Sequence, residues 1–349
     1  MCSSDLPDAA TRGAFGPVQP WPSVPIHWVL TPDGRLLSFG ATTDGRQGGQ
    51  RDHSVWDPSR GFTPDAFTVL PNTTRVNNFC AGQWLMPDSG DVLITGGTQN
   101  TPLRYQGIAA TTVFRTANAS LERVADLQWR RWYPTTLGTA DGQVLVLGGR
   151  VDPASPGSPA VPALVPELYH PATGTWRALE GAASAGAFGL TRSSWYYPRA
   201  WLGPQALPVI AGRNGSLYQL DPAGAGKLTR LAGGLPPQDP FLPALMTAPG
   251  RLLLVGAGRR VSLVDLHTQP PTIRDGAPIS RHRRYGNATL LPDGQVLVNG
   301  GVDAPANQLE GAHLEAELWN PADALYGTDA LPETDGATKA GPNGEAYNP

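Results

Sequence analysis

YPTTLGTADGQVLVLGG, residues 133–149, reads as a short strand, an Asp-Gly turn, a second strand and a glycine pair. In its second strand Val144 and Val146 point to one side, Leu145 and Leu147 to the other, so both faces are apolar and both need cover. Asp-Gly between two apolar runs is a hairpin signal, because glycine tolerates the positive φ such turns demand. The same unit returns as HWVLTPDGRLLSFG (27–40), CAGQWLMPDSGDVLITGG (80–97) and YGNATLLPDGQVLVNGG (285–301), with degenerate copies YPRAWLGPQALPVIAG (197–212) and LPALMTAPGRLLLVGAG (242–258). The turn glycines Gly90 and Gly142 are 52 residues apart, and Gly250 and Gly294 are 44 apart, close to the roughly 50-residue period of kelch-type blades.

A second half-unit comes after several copies: ELYHPATGTW (167–176), SLYQLDPAG (216–224) and AELWNPAD (316–323). Each reads as an outer strand, a turn and a return strand, whose Trp or Tyr packs between blades. The expected fold is therefore all-β: a kelch-type β-propeller with six recognisable repeats, in a propeller expected to have seven blades. On this reading residues 7–325 form the propeller and 326–349 an irregular C-terminal segment. The 42 Gly and 36 Pro among 349 residues serve as turns between many short strands. With 26 Lys and Arg against 29 Asp and Glu there is no basic stripe for nucleic acid, and no apolar run of 18 residues suggests a membrane span.

Residues 1–6, MCSSDL, look foreign to the rest of the chain. One codon choice for Cys-Ser-Ser-Asp-Leu resembles the end of a common sequencing adapter, so Cys2 is expected to be an artefact and Cys80 the single authentic cysteine. A disulfide framework is then excluded, and a missing signal peptide says nothing about secretion.

Cys80 opens the inner strand of one repeat and Tyr133 that of the next, so neighbouring blades could bring them together at the propeller axis. By itself a buried Cys is a small hydrophobe. The stretches Phe79-Cys80-Ala81-Gly82 and Arg131-Trp132-Tyr133-Pro134, with the Asp-Gly and Gly-Gly repeats, resemble the galactose oxidase and glyoxal oxidase family of copper radical oxidases, and more closely the glyoxal oxidase branch. The resemblance implies that Cys80 and Tyr133 are the catalytic residues, joined by a thioether at the tyrosine ring, and that the Tyr133 oxygen binds copper. It implies a Cys-Tyr radical cofactor, a small aldehyde or primary alcohol as substrate, O2 as oxidant and H2O2 as product. A secreted monomer is expected with it.

The resemblance also requires a second Tyr, an adjacent His and a His from a C-terminal domain, and these are not found. Tyr169-His170 lies in an outer strand and its turn, and Arg284-Tyr285 stands where the family's Tyr-His pair would stand. The C-terminal domain is expected to be missing, the chain a fragment, and this chain inactive. Val151 occupies the place of galactose oxidase's stacking aromatic. His27 and His53 are read as surface or satisfied histidines, with polar residues of the propeller axis as the alternative, and Arg281-His282-Arg283-Arg284 as a solvated basic loop, with a site for an anionic ligand at the mouth as the alternative. The alternative function is a non-catalytic kelch propeller that binds protein or glycan.

Overall fold

The computed structural model describes residues 15–43, 53–100, 105–151, 161–190, 193–194, 196–236, 238–239, 241–303, 311–320 and 329–330; Cys2 lies outside them. Six four-stranded antiparallel sheets follow one another along the chain, each with strands in sequence order. They are the blades of a β-propeller. Blade 1 is Val24–Leu30, Leu36–Ala41, His53–Trp56 and Phe67–Leu70; blade 2 is Gly82–Leu85, Val92–Thr95, Thr111–Arg115 and Ser120–Arg123; blade 3 is Thr135–Gly138, Val144–Leu147, Glu167–His170 and Thr175–Ala178. Blade 4 is Arg199–Leu202, Pro208–Ala211, Leu217–Asp221 and Lys227–Ala232; blade 5 is Ala244–Ala248, Arg251–Val255, Val261–Asp265 and Thr272–Gly276; blade 6 is Arg284–Leu290, Val296–Val302, Glu317–Trp319 and Asp329–Ala330. The last strand of blade 6 falls inside the stretch expected to be irregular.

The chain divides into two compact units: residues 20–233, which hold blades 1 to 4, and residues 234–348 with the first 19, which hold blades 5 and 6. Within the first unit the doubly apolar strands do what their pattern demands. Val92 and Ile94 of blade 2 pack with Leu37, Phe39 and Val55 of blade 1, while Leu93 turns the other way to meet Val144 and Tyr169 of blade 3. Leu145 and Leu147 then face Ile210, Tyr218 and Leu220 of blade 4. In the second unit Leu253, Val255 and Val261 meet Val296, Val298 and Trp319. Each such side chain contributes roughly 1.5–3 kcal/mol by leaving water. Blade 1 differs on its other face, where Trp28, Leu30 and Val69 are exposed and Trp21 stacks on Trp28 at 4.7 Å.

The turns follow from their residues. In blade 3 the Thr139 hydroxyl donates to Asp141 Oδ1 at 2.5 Å and the Gly142 amide to the Thr139 carbonyl at 3.1 Å. That geometry places Gly142 at φ 79°, where a side chain would clash. Two-stranded excursions, Thr98–Asn100 with Tyr105–Gly107 and Arg150–Val151 with Val161–Pro162, interrupt blades 2 and 3 between their second and third strands.

Candidate functional site

The segment 77–81 turns sharply into the first strand of blade 2. Asn77 Oδ1 accepts the Phe79 amide at 3.0 Å, and the Asn78 carbonyl accepts the Ala81 amide at 3.1 Å. Cys80 sits at the apex with φ 55°, and Tyr133 repeats the conformation one blade later at φ 60°. The Tyr133 amide donates to the Cys80 carbonyl at 3.0 Å. Positive φ at such residues costs on the order of 1–3 kcal/mol and persists only where the surroundings impose it. Gly82, the last residue of the FCAG motif, is required for packing: a Cβ there would fall on the Thr136 hydroxyl of blade 3. The absent side chain lets the two blades close, and Thr95 and Thr136 hydrogen bond across the join at 2.9 Å.

Arg131, two residues before Tyr133, is wholly buried. Its guanidinium donates to Glu167 Oε1 at 2.9 and 3.1 Å and to the Gly148 carbonyl at 2.7 Å. Burial pushes its pKa down and the Glu167 carboxylate opposes this; the ion pair locks the start of the strand. Trp132 then lies on Tyr133 with ring centroids 4.6 Å apart, and the Arg150 guanidinium covers the indole at 5.4 Å. Tyr196 covers Tyr133 at 4.9 Å, and Tyr197 meets it edge-on at 5.3 Å and 83°. The ring stacking on Tyr133 thus comes from Trp132 and Tyr196, while Val151 lies in the short strand beyond Arg150.

Cys80 has no solvent exposure and Tyr133 little. Burial drives the Cys80 thiol far above its ordinary pKa; the neighbouring Tyr133, Tyr197 and Trp132 side chains act in the opposite direction. At neutral pH the sulfur is therefore a thiol, which argues against a thiolate nucleophile. With two equivalents of a one-electron oxidant, a thiol beside a phenol can instead form a C–S bond to a ring carbon, the S–H and one aromatic C–H giving up two protons and two electrons.

The family's metal donors are not assembled here. Tyr169 is buried in the third strand of blade 3 against Trp176, and His170 is exposed at the following turn. Tyr285 bonds to Arg284. Among the described residues no three His, Cys, Asp or Glu side chains gather at one point. Around Cys80 the described residues offer the phenols of Tyr133, Tyr196 and Tyr197 but no imidazole set, so they do not fit the copper centre that the resemblance implies.

Two sequence expectations are corrected. His27 and His53 are buried, not at the surface; they flank Phe39 at 4.8 and 5.1 Å, and His27 Nε2 has no hydrogen-bond partner among the described residues. In the run 281–284, Arg283 is buried and paired with Glu317 at 2.7 Å, while Arg281 is exposed and His282 and Arg284 are half-buried. Tyr197 was missed as a site residue, although the Tyr-Pro that opens blade 3 at 133–134 also opens blade 4 at 197–198.

No family model matches the chain and no curated protein matches it. Among solved structures, a fungal alcohol oxidase described as having catalytic diversity among the AA5 family, in complex with copper, superposes with a TM-score of 0.74 at 22% identity, covering 93% of this chain and 68% of its own. The structure of YjhT superposes with a TM-score of 0.59 at 13% identity, covering 90% of this chain and 99% of its own. At these identities the likeness is one of fold, and the fold shared is the β-propeller.

Proposed function

We propose that this chain is the propeller portion of a secreted copper radical oxidase of the galactose oxidase and glyoxal oxidase type, acting on small aldehydes or primary alcohols with O2 to give H2O2. The observation that carries this reading is the buried thiol of Cys80 against Tyr133, on consecutive blades and in matching left-handed conformations. The copper-bound alcohol oxidase with the similar propeller supports it. The substrate class and the glyoxal oxidase branch rest on the FCAG and RWYP motifs. In this chain Cys80 and Tyr133 are the cross-linking pair, Trp132 and Tyr196 shield the phenol from water, and Arg131 with Glu167 fixes the backbone that presents it.

Because the described residues do not make up a copper site, we propose that the 349-residue chain does not turn over by itself. Incubating it with Cu(II) and methylglyoxal and following H2O2 tests this, and sustained turnover would overturn it. The second reading, a non-catalytic propeller that binds protein or glycan, is favoured by the complete burial of the thiol and by the lack of a cluster of His, Cys, Asp or Glu among the described residues. Peptide masses separate the two: a copper-loaded full-length relative should carry the Cys80 and Tyr133 peptides fused with loss of two hydrogens, and a binding scaffold should carry a free thiol.

A further inference from the structure

The chain carries four Asn-x-Ser/Thr triplets, at Asn72, Asn118, Asn214 and Asn287. So short a motif arises by chance, and the surroundings of each asparagine decide what it can do. In two of them the amide nitrogen is spent inside the fold. Asn72 Nδ2 donates to the Val76 carbonyl at 2.8 Å in a part-buried turn. Asn214 Nδ2 donates to the Tyr218 hydroxyl at 3.0 Å, and the hydroxyl of its triplet, on Ser216, is buried and accepts from Arg230 Nε at 3.1 Å. Asn287 lies inside the first strand of blade 6, paired with Asn299 of the second, so a bulky substituent there would stand over the sheet.

Asn118 is exposed at the tip of the hairpin that joins the third and fourth strands of blade 2. The root of that hairpin is fixed. The Thr116 amide donates to Asp91 Oδ1 at 3.0 Å, the Thr116 hydroxyl to the Gly90 carbonyl at 2.6 Å, and Arg35 Nη2 to the Thr116 carbonyl at 3.0 Å. Beyond the root, the Ser120 hydroxyl donates to Asn118 Oδ1 at 2.7 Å. That bond polarises the carboxamide, while Nδ2 makes no hydrogen bond among the described residues. We propose that Asn118 is an N-glycosylation site, carrying an oligosaccharide on Nδ2. The inference rests on the reading of the protein as secreted, because the donor, a lipid-pyrophosphate-linked oligosaccharide, meets chains that enter the export route. Transfer forms the bond from Nδ2 to the anomeric carbon, breaks that carbon's bond to the pyrophosphate oxygen, and releases one amide proton and the lipid pyrophosphate. The register Leu85 to Val92 to Phe114 to Leu121 places the hairpin at the opposite end of blade 2 from Gly82 and Cys80. A glycan there covers the rim and leaves the Cys80 end open.

The test exports the full chain from yeast behind a supplied signal peptide, so it does not depend on how the natural protein is exported. Peptide N-glycosidase in heavy-oxygen water converts each glycosylated Asn to a labelled Asp. Trypsin separates the sites: 61–75 for Asn72, 116–123 for Asn118 and 214–227 for Asn214. Most of peptide 116–123 should be labelled, and 61–75 and 214–227 several-fold less. Ser120→Ala should remove the label from 116–123, Ser120→Thr should keep it, and Asn118→Gln should lower the intact mass by one glycan. Unlabelled 116–123, in culture fluid and cell extract alike, would overturn the proposal, as would equal label on 214–227 or label that persists in Ser120→Ala. The secretion reading fails separately, if the natural protein stays inside its source cell, and the yeast result still decides Asn118.

Discussion

Blades 3 and 6 begin with the same framework and carry different chemistry on it. Arg131 and Arg283 are both buried and ion-paired with a glutamate that opens the third strand, Glu167 or Glu317. Both reach the carbonyl of the first glycine of the Gly-Gly pair, at 2.7 Å for Gly148 and 2.9 Å for Gly300. In each case the second carboxylate oxygen accepts a backbone amide, from Gln128 or Ser280. Two residues later Tyr133 and Tyr285 adopt φ 60° and 66°, and their amides bond back to Cys80 and Phe241. The middle residue and the residue behind differ. Trp132 and Cys80 surround Tyr133 with an indole and a thiol, whereas Arg284 lies over Phe241 at 4.5 Å and Tyr285 at 4.8 Å and pairs with Asp239 at 3.2 Å. A tyrosine in a left-handed conformation is thus a property of the propeller, and the thiol beside it is what marks a reactive site.

If the two arginine pairs are equivalent framework, Glu167→Gln and Glu317→Gln should each leave a buried guanidinium without its counter-charge and lose about 3–5 kcal/mol. Urea unfolding followed separately for each unit measures this. A large loss in one variant and none in the other would break the equivalence.

Acid should loosen blade 1, which packs against Ala81 next to Cys80 in the chain, without requiring any change in blade 6. Burial, and secondarily the charge of His53, lower the His27 pKa from 6.5 to about 4. Above pH 6.5 neither folded nor unfolded chain holds the proton. As pH falls below 6.5 the unfolded chain takes it up and the folded chain refuses it, so stability drops until about pH 4 and then levels. The full drop is about 3 kcal/mol. Urea midpoints between pH 7 and pH 4 should show it, and His27→Gln should flatten the slope.

Exchanging the middle residues sharpens the comparison further. Trp132→Arg would place a charge where Asn78, the counterpart of Asp239, offers only a neutral amide with no partner among the described residues. A loss of roughly 2–3 kcal/mol is expected. Adding Asn78→Asp should recover about 1 kcal/mol by rebuilding the blade 6 arrangement. Non-additivity near zero in the double-mutant cycle would show that the starts of blades 3 and 6 are not interchangeable. Arg284→Trp should cost only about 1 kcal/mol, since its ion pair with Asp239 is partly in water.

Much of this comparison was legible before the fold was known. The Asp-Gly turns, the doubly apolar strands and the Gly-Gly pairs give six blades because each is local, with a period that a window of sequence contains. What escaped depends on contacts across long separations. The run 281–284 shows charge but not Glu317, 34 residues from Arg283, so it read as solvated. The recurrence was nevertheless present: Arg131 and Arg283 each precede a Tyr by two, and Glu167 and Glu317 each start an apolar Glu-Leu strand. His27 and His53 read as surface or satisfied residues because cross-strand register, not periodicity, sets them either side of Phe39. The excursion Arg150–Val151 is only two residues long, too short for alternation to reveal it.

The smallest effect separates framework from chemistry most cleanly. The Tyr285 hydroxyl accepts a hydrogen bond from the Arg284 guanidinium at 2.9 Å, so Tyr285→Phe should cost about 1.5 kcal/mol, the low end of the range for a bond to a charged group. Tyr133→Phe removes a neutral hydroxyl whose sulfur neighbour is a weak hydrogen-bond partner, and should cost about 0.5–1 kcal/mol. A stability scan would therefore rank Tyr285 above Tyr133, the reverse of their proposed chemical importance. Only the fate of the Cys80 sulfur distinguishes them: after treatment with two equivalents of a one-electron oxidant its peptide should be found fused in the Tyr285→Phe protein as in the wild type, and not fused to the tryptic peptide 132–150 in the Tyr133→Phe protein. Equal behaviour of the two variants would mean that the thiol beside Tyr133 is packing, and that blade 3 is framework as blade 6 is.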